Sequence, residues 1–211
     1  PSQRLRTLLT SYDGVFVWLG PAEELEARLT RLAIKRIDTH PGKPPQDWRA
    51  HASDFYASCV GARPLEPLRL HARSSESSWD LIIHPGSGSP KKNWPVRNFI
   101  QAADEFSSRG QRVAWSIGPA EYEAGIVDAL PEDAQILPSM PLEDVAKILS
   151  ATKHYLGNDS GITHLAAAAG CRTIAVFLDT DPAVWAPRGE HVRVVDGRMP
   201  DAVESVLAKL T

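Results

Sequence analysis

The sequence has little cysteine: only Cys59 and Cys171 occur among its 211 residues. The two lie far apart and outside any CxxC or Cys/His spacing, so the pattern indicates neither a disulfide framework nor a zinc site. Such sparse cysteine is typical of the reducing cytoplasm. The sequence also lacks an apolar run of about eighteen residues and a signal peptide with a basic start. We therefore expect any membrane contact to be peripheral.

An excess of positive charge is also missing, because the formal net charge is -3. Proteins that bind polyanions without sequence preference are usually strongly basic, so we do not expect nucleic acid as a partner. A local basic patch would still allow contact with a phosphate or an anionic lipid. The hydrophobic content of 43% is ordinary for a globular protein and predicts a sizeable core.

Short apolar runs alternate with amphipathic stretches along most of the chain. The apolar runs predict strands near residues 14–19, 34–38, 81–84, 112–117, 134–137, 154–157, 173–178 and 192–195. The other stretches predict helices at residues 21–32, 47–60, 96–109, 120–129, 142–151, 160–169 and 200–210. This alternation indicates a mostly parallel sheet covered on both faces, the doubly wound α/β arrangement. Ligands of such sheets bind beyond the carboxyl ends of the strands.

Prolines and small polar residues interrupt the periodicity between Gly61 and Ser78, which predicts a linker. We therefore divide the chain into residues 1–75 and 76–211. The second part holds most of the predicted strands and is expected to form a domain by itself. The first part has two clear strands and starts in a helix-like segment, RLRTLL, so we interpret it as the end of a larger domain.

A loop rich in glycine, serine and lysine, HPGSGSPKKNWP, follows the predicted strand at residues 81–84. Its glycines let a ligand approach the backbone, its hydroxyls offer hydrogen bonds, and Lys91 and Lys92 supply charge. This composition is that of a phosphate-binding loop, although the GK[ST] ending of a Walker A motif is absent. The alternative is a solvated turn with two surface lysines.

A second polar loop, within LGNDSGITHLAAAAG, lies where a predicted strand meets a helix. Asp159 or Ser160 can cap this helix, and Gly161 removes side-chain bulk from its first turn. The free N–H groups there form an anion site that the helix dipole strengthens. His164 projects one turn further along the same face, unless it is simply a helix histidine with its own partners. The sequence thus predicts a ligand site at this strand end.

Three segments between Leu81 and Pro187 resemble the ADP-heptose:lipopolysaccharide heptosyltransferases, glycosyltransferase family 9. They are HPGSGSPKKNWP, then ILPSMPLEDVAKIL, then GNDSGITHLAAAAG followed by TIAVFLDTDPAVWAP. Their order and approximate spacing match those of the family. The resemblance implies a GT-B type enzyme with two facing Rossmann-like domains, of which this chain holds the second.

The resemblance also implies how the donor is bound. The donor phosphates would contact Ser87, Gly88, Lys92, Ser160 and Gly161, with Lys92 rather than Lys91 as the family lysine. Asp159 and His164 would bind the donor sugar, and Met140 would contact the adenine ring. Glu121 would hold the ribose hydroxyls, although Glu123 could serve instead, and Glu121 could equally be a helix-start carboxylate. Thr180–Pro182 resembles the family's TDP turn, but FLDTDP replaces FGPTDP. We interpret this turn as structural, with a Thr or Asp cap ahead of Pro182 at the first helical position.

The implied reaction is a direct, inverting displacement that needs no metal or other cofactor. The implied partners are an ADP-sugar donor, a lipopolysaccharide core acceptor and, peripherally, the inner face of the inner membrane. The basic residues available for such a contact are Arg4, Arg6, Lys35 and Arg36, which could equally be solvated surface charges.

The catalytic base implied by the family is missing from the sequence. That base belongs to a GxxGD-like turn, and no such motif occurs before Gly14; Asp13 precedes a strand where a helix start would be required. We therefore expect either a fragment or a natural short form that holds the donor half. A second hypothesis is a non-catalytic nucleotide-sugar-binding protein that keeps the donor loops.

Overall fold

The computed structural model describes residues 2–19, 23–32, 34–64, 66–70 and 79–210. The chain divides into two compact units, Pro1–Leu65 and Glu66–Thr211. This division falls within the stretch that the sequence indicates as a linker. Residues 66–70 form neither helix nor strand, whereas the predicted boundary between residues 75 and 76 lies outside the described residues.

The N-terminal unit contains a small parallel sheet flanked by helices. Its elements are α1 (Gln3–Thr10), β1 (Val15–Trp18), α2 (Glu23–Thr30), β2 (Ile37–His40) and α3 (Ala52–Cys59). Two predictions were misplaced here. The strand expected at residues 34–38 begins at Ile37, because Ile37 is the residue that pairs with Val15 at the start of β1. The helix expected from residue 47 begins only at Ala52, where the His51 side chain caps it.

The C-terminal unit is a doubly wound α/β sheet, as the sequence predicts. Its strands are β3 (Leu81–His84), β4 (Val113–Ser116), β5 (Ile136–Leu137), β6 (His154–Asn158), β7 (Arg172–Phe177) and β8 (Val192–Asp196). Its helices are α4 (Val96–Ser108), α5 (Pro119–Glu123), α6 (Leu142–Ser150), α7 (Gly161–Ala168), α8 (Pro182–Trp185) and α9 (Ala202–Leu207). The helix predicted at residues 120–129 is broken, because Gly125 adopts a φ of 68° and only a 3₁₀ turn, Val127–Ala129, follows.

Strand β3 shows why this sequence forms a sheet buried on both faces. Leu81 and Ile83 enter one core, which also contains Phe99 of α4. Ile82 points to the opposite face and packs with Leu149 of α6. Burying each such side chain contributes about 1.5–3 kcal/mol. The near-continuous apolar run is therefore a central parallel strand, and the two faces account for the two helix layers.

The six strands are parallel and lie in the order β5-β4-β3-β6-β7-β8. The chain moves outward from β3 in one direction and from β6 in the other. Loops that leave β3 and β6 consequently diverge and open a crevice at the carboxyl edge, the usual ligand position in this architecture. In the described ranges, no helix has both the length and the apolar character required for a membrane span.

Candidate functional site

A cleft of about 650 Å³ lies at the carboxyl edge of the C-terminal sheet. It is bounded by the loops after β3, β4 and β5 and by the first turns of α7. Seven of the nine residues predicted for the site line it: Ser87, Gly88, Glu121, Met140, Ser160, Gly161 and His164. The other two, Lys92 and Asp159, are absent from its lining and pair with each other. The sheet topology thus brings together loops that are far apart in sequence.

Asn158, at the end of β6, fixes the loop that follows β3. Its side chain is fully buried; its Nδ2 donates to the carbonyl of Pro85 at 2.7 Å, and its Oδ1 accepts from the N–H of Trp94 at 2.9 Å. Both ends of the glycine-rich loop are therefore held by one amide group. The sequence analysis missed this role, for which an asparagine ending an apolar strand is the available signal.

The start of α7 is capped by Ser160, which decides between the two predicted caps. The Ser160 Oγ accepts from the N–H of Thr163 at 3.3 Å, and the Thr163 hydroxyl donates to the carbonyl of Asn158. Tyr155 joins this buried network through its hydroxyl, 3.1 Å from Thr163, and burial raises the pKa of Tyr155. Gly161 is exposed, and a methyl group there would meet no atom within 4 Å. The fold itself therefore does not require a residue without a side chain at position 161. The space beside Gly161 is open to a ligand.

Asp159 is the centre of a polar cluster beside the cleft. Its Oδ2 accepts from the ammonium of Lys92 at 2.9 Å and from the hydroxyl of Thr180 at 2.7 Å. Lys92 also donates to the carbonyl of Asp159 at 3.2 Å, whereas Lys91 is exposed. Asp159 does not cap α7, because its carboxylate is directed to these two donors. The cap before Pro182 is Asp181, which accepts from the N–H of Ala183, so Thr180 has a partner that the sequence analysis did not find.

Glu121 is buried at the start of α5, where its Oε2 accepts from the N–H of Gly118 at 2.8 Å. Glu121 is therefore a helix-start carboxylate, one of the two roles that the sequence allows. It also lines the cleft, whereas Glu123 is exposed. Its Oε1 lies 3.8 Å from Nε2 of His84, whose Nδ1 lies 2.8 Å from the carbonyl of Ser116. His84 was not predicted for the site, although it ends β3 next to the glycine-rich loop.

The glycine-rich loop is shaped by its own serine. The Ser87 hydroxyl lies 2.6 Å from Oδ1 of Asn93 and 2.8 Å from the carbonyl of Ser89. A hydroxyl has one proton, so it can donate to only one of these acceptors at a time. Direct donation to a ligand would require the Ser87 hydroxyl to leave both. Gly88 is exposed, and a methyl group added there would meet no atom within 4 Å. Its backbone is therefore accessible.

One end of the cleft is apolar. Met140 is half-buried and lines the cleft together with apolar side chains from the loop after β5, from α6 and from α7, and with Leu68 and Leu70. The N–H of Leu70 donates to the carbonyl of Ala168 at 2.7 Å, which ties this segment to the end of α7. The cleft thus combines an apolar end with a polar end built on helix N–H groups. Within the described residues, no three His, Cys, Asp or Glu side chains are grouped to hold a metal ion.

The fold and the cleft define an α/β protein of the doubly wound class. Its cleft lies where the loops after β3 and β6 diverge, the usual ligand position in this class. Comparison with known proteins is more specific. The model of glycosyltransferase family 9 (heptosyltransferase) matches residues 64–207, about two thirds of the chain. The chain belongs to this family.

Individual relatives agree with this assignment. Lipopolysaccharide heptosyltransferase 1 of Pseudomonas aeruginosa is 31% identical over 136 residues, which cover 63% of this chain and 38% of the relative. The chain thus spans about two fifths of the length of the curated relatives it matches.

Two solved structures from E. coli share the fold. The ADP-heptose lipopolysaccharide heptosyltransferase II superposes with a TM-score of 0.77 at 19% identity, over 98% of this chain and 78% of that one. Heptosyltransferase WaaC, solved with ADP, gives 0.70 at 21% identity, over 99% of this chain and 77% of that one.

Proposed function

We propose that this chain forms the donor-binding part of a glycosyltransferase that transfers a heptose from ADP-heptose to a lipopolysaccharide core acceptor. The observation that carries the proposal is the juxtaposition of the Lys92–Asp159 pair with the capped start of α7 beside a cleft that is apolar at its other end. Family membership and the names of the relatives supply the reaction class.

The cleft suits an ADP-sugar in one orientation. An adenine ring would fill the apolar end against Met140, and the buried carboxylate of Glu121 would accept bonds from ribose hydroxyls. The diphosphate would lie at the N–H groups of Gly161 and Gly88, where the helix dipole favours negative charge. The remaining polar groups would then act as follows: Ser87 and Ser160 would support the phosphates, Lys92 would neutralise them, and Asp159 and His164 would hold the sugar.

In the proposed mechanism the acceptor hydroxyl attacks the anomeric carbon as ADP leaves, which inverts the configuration. The reaction needs the departing diphosphate to be stabilised, and Lys92 with the first N–H groups of α7 would do this without a metal ion. The base that deprotonates the acceptor is not among the residues identified in this chain. We propose that residues 1–75 belong to the acceptor-side domain, and that the protein works in the cytoplasm against the inner membrane.

Calorimetric titration with ADP, ADP-heptose and UDP-glucose tests the donor assignment. We expect both ADP compounds to bind and UDP-glucose to bind much more weakly. Lys92→Ala should weaken ADP binding about ten- to a hundredfold, because a charge-assisted contact is lost. Lys91→Ala is the matched control, because Lys91 precedes Lys92 and is exposed. This variant removes the same charge and should leave the ADP affinity nearly unchanged.

Equal effects of the two lysine variants would show that only general charge matters and would contradict the site. Circular dichroism of each variant confirms that the fold is kept. Transfer itself is tested with a longer chain that includes the acceptor-side turn. Donor binding without transfer by that chain would instead support a non-catalytic nucleotide-sugar-binding protein.

A further inference from the structure

We propose that Thr180 is a positioning residue that orients the Asp159 carboxylate toward the donor sugar. This inference rests on the proposed function, in which Asp159 binds the sugar. Its structural basis is the 2.7 Å hydrogen bond from the Thr180 hydroxyl to Oδ2 of Asp159, across the carboxyl ends of neighbouring strands β7 and β6.

The two donors on Oδ2 leave the second carboxylate oxygen available. An ionised carboxylate has about two acceptor positions on each oxygen. Lys92 and Thr180 both donate to Oδ2, whereas Oδ1 has no hydrogen-bond partner within the described parts of the chain. The Asp159 side chain is 10% exposed, and Oδ1 is not one of the buried atoms without a partner, so solvent reaches it. A ligand that displaces this solvent must supply a hydrogen-bond donor to Oδ1. Neighbouring sugar hydroxyls are such donors.

Lys92 is oriented by the same arrangement. An ammonium has three N–H donors, and two of them go to the carboxylate and to the carbonyl of Asp159. The third remains for an anionic ligand. The bond to the main-chain carbonyl does not depend on the direction of the carboxylate. Loss of the Thr180 bond should therefore turn the carboxylate while Lys92 stays beside the phosphates.

The turn that carries Thr180 is anchored on both sides. Leu178, which stands where the family has glycine, packs against the core that contains Phe99 of α4. On the other side, Asp181 caps α8 and Pro182 begins it. The N–H of Asp159 donates to the carbonyl of Val176 at 3.1 Å, which fixes the spacing of the two strand ends. The leucine of FLDTDP, in place of the glycine of FGPTDP, is thus accommodated by the core. Thr180 still contacts Asp159.

The test compares Thr180→Val, Thr180→Ser and Asp181→Ala by calorimetric titration of the whole chain with ADP and with ADP-heptose. Valine keeps the shape and removes the donor, whereas serine keeps the donor. Asp181→Ala loosens the same turn without touching Asp159. Loss of a hydrogen bond to a charged group predicts a drop of about tenfold in ADP-heptose affinity for Thr180→Val, with less than about threefold for ADP. Thr180→Ser should recover most of the affinity, and Asp181→Ala should leave the ratio of the two affinities unchanged.

The outcomes separate this inference from the proposed function. If the unmodified chain binds neither ADP compound, the proposed function is overturned and the inference with it. If it binds both but Thr180→Val leaves both affinities unchanged, or lowers them equally, only the positioning role is overturned. The same holds if Asp181→Ala lowers ADP-heptose affinity as selectively as Thr180→Val does, because the effect would then come from the turn as a whole.

Discussion

The side-chain amide of Asn158 accepts a hydrogen bond from the backbone N–H of Trp94 at 2.9 Å, although Asn158 ends β6 and Trp94 lies in the glycine-rich loop after β3. Trp94 is itself almost fully buried, and its indole N–H donates to the carbonyl of Gly197. The end of β6, the glycine-rich loop and the end of β8 are therefore connected through two side chains. A change at Asn158 should affect both the stability of the C-terminal unit and the shape of its cleft.

Asn158→Ala leaves the N–H of Trp94 and the carbonyl of Pro85 buried without their partner. Each unsatisfied group costs about 1–3 kcal/mol, so we expect the free energy of unfolding to fall by about 2–6 kcal/mol. Urea unfolding followed by tryptophan fluorescence measures this loss. Asn98→Ala is the control and should change the midpoint little, because Asn98 is half-buried on α4 and its side chain has no hydrogen bond within the described residues. Similar losses in both variants would show that the Asn158 bonds contribute nothing specific.

Gly86→Ala should displace Glu121 from the cleft wall. A methyl group built on Gly86 would lie 1.9 Å from Oε1 of Glu121, which the carboxylate cannot tolerate in place. If Glu121 holds the ribose, the affinity for ADP should fall about tenfold. A calorimetric double-mutant cycle with Glu121→Ala checks the cause: the combined variant should be no weaker than Glu121→Ala alone. Additive losses would mean that Gly86 acts by another route.

Asp80 should make the stability of the C-terminal unit pH-dependent. Its pKa is held below the ordinary value by a hydrogen bond from the backbone N–H of Arg112 and by the ammonium of Lys153, against the effect of burial. A lowered folded-state pKa means that the ionised carboxylate stabilises the fold above pH ~4, and that this contribution is lost as the pH falls through the folded-state pKa.

The measurement is urea unfolding of Asp80→Asn and the unmodified chain at several pH values. The variant should be less stable by about 1.5–3 kcal/mol at neutral pH, and the difference should shrink below pH ~4. Asp104→Asn, which makes the same change at an exposed aspartate of α4, is the matched control. A difference that stays constant down to pH ~2 would rule out the ionised Asp80 as its source.

The two cysteines should differ in reactivity. Burial raises the pKa of the Cys171 thiol to about 12, so its thiolate fraction at pH 8 is on the order of one in ten thousand. Cys59 is half-buried. A chromogenic disulfide reagent should therefore modify one thiol rapidly in the native chain and both in guanidinium. Cys59→Ser should abolish the rapid phase; rapid reaction that persists in this variant would show that Cys171 is accessible.

The fold of the C-terminal unit could be predicted because each of its central strands is a short apolar run that can be recognised from the local sequence. Leu81–His84 is apolar on both faces and bounded by polar loops, so its limits follow from the sequence alone. Glycine at residue 125, inside an amphipathic stretch, is the exception, because whether it breaks a helix depends on tertiary packing. The N-terminal unit was predicted less well, since the start of β2 is set by pairing with β1.

The capped start of α7 at the cleft could be predicted, because its polar residues all lie in one loop. The hydrogen bonds of Thr180 and Asn158 could not be predicted, because the partner of each comes from a neighbouring strand end or loop. Sequence patterns indicate which residues reach the carboxyl edge. They do not indicate which hydroxyl or amide will contact which carboxylate across it.

The division of the cleft between loops has a consequence for how specificity can evolve. The apolar end around Met140 belongs to the segment after β5, at the margin of the sheet, whereas the Lys92–Asp159 cluster stands on the two central strands. Among the described residues, the side chains of Asn158 and Trp94 make no hydrogen bond to this segment. In the proposed donor orientation, exchange of residues 138–142 would therefore change the nucleobase preference and leave the Lys92–Asp159 pair in place.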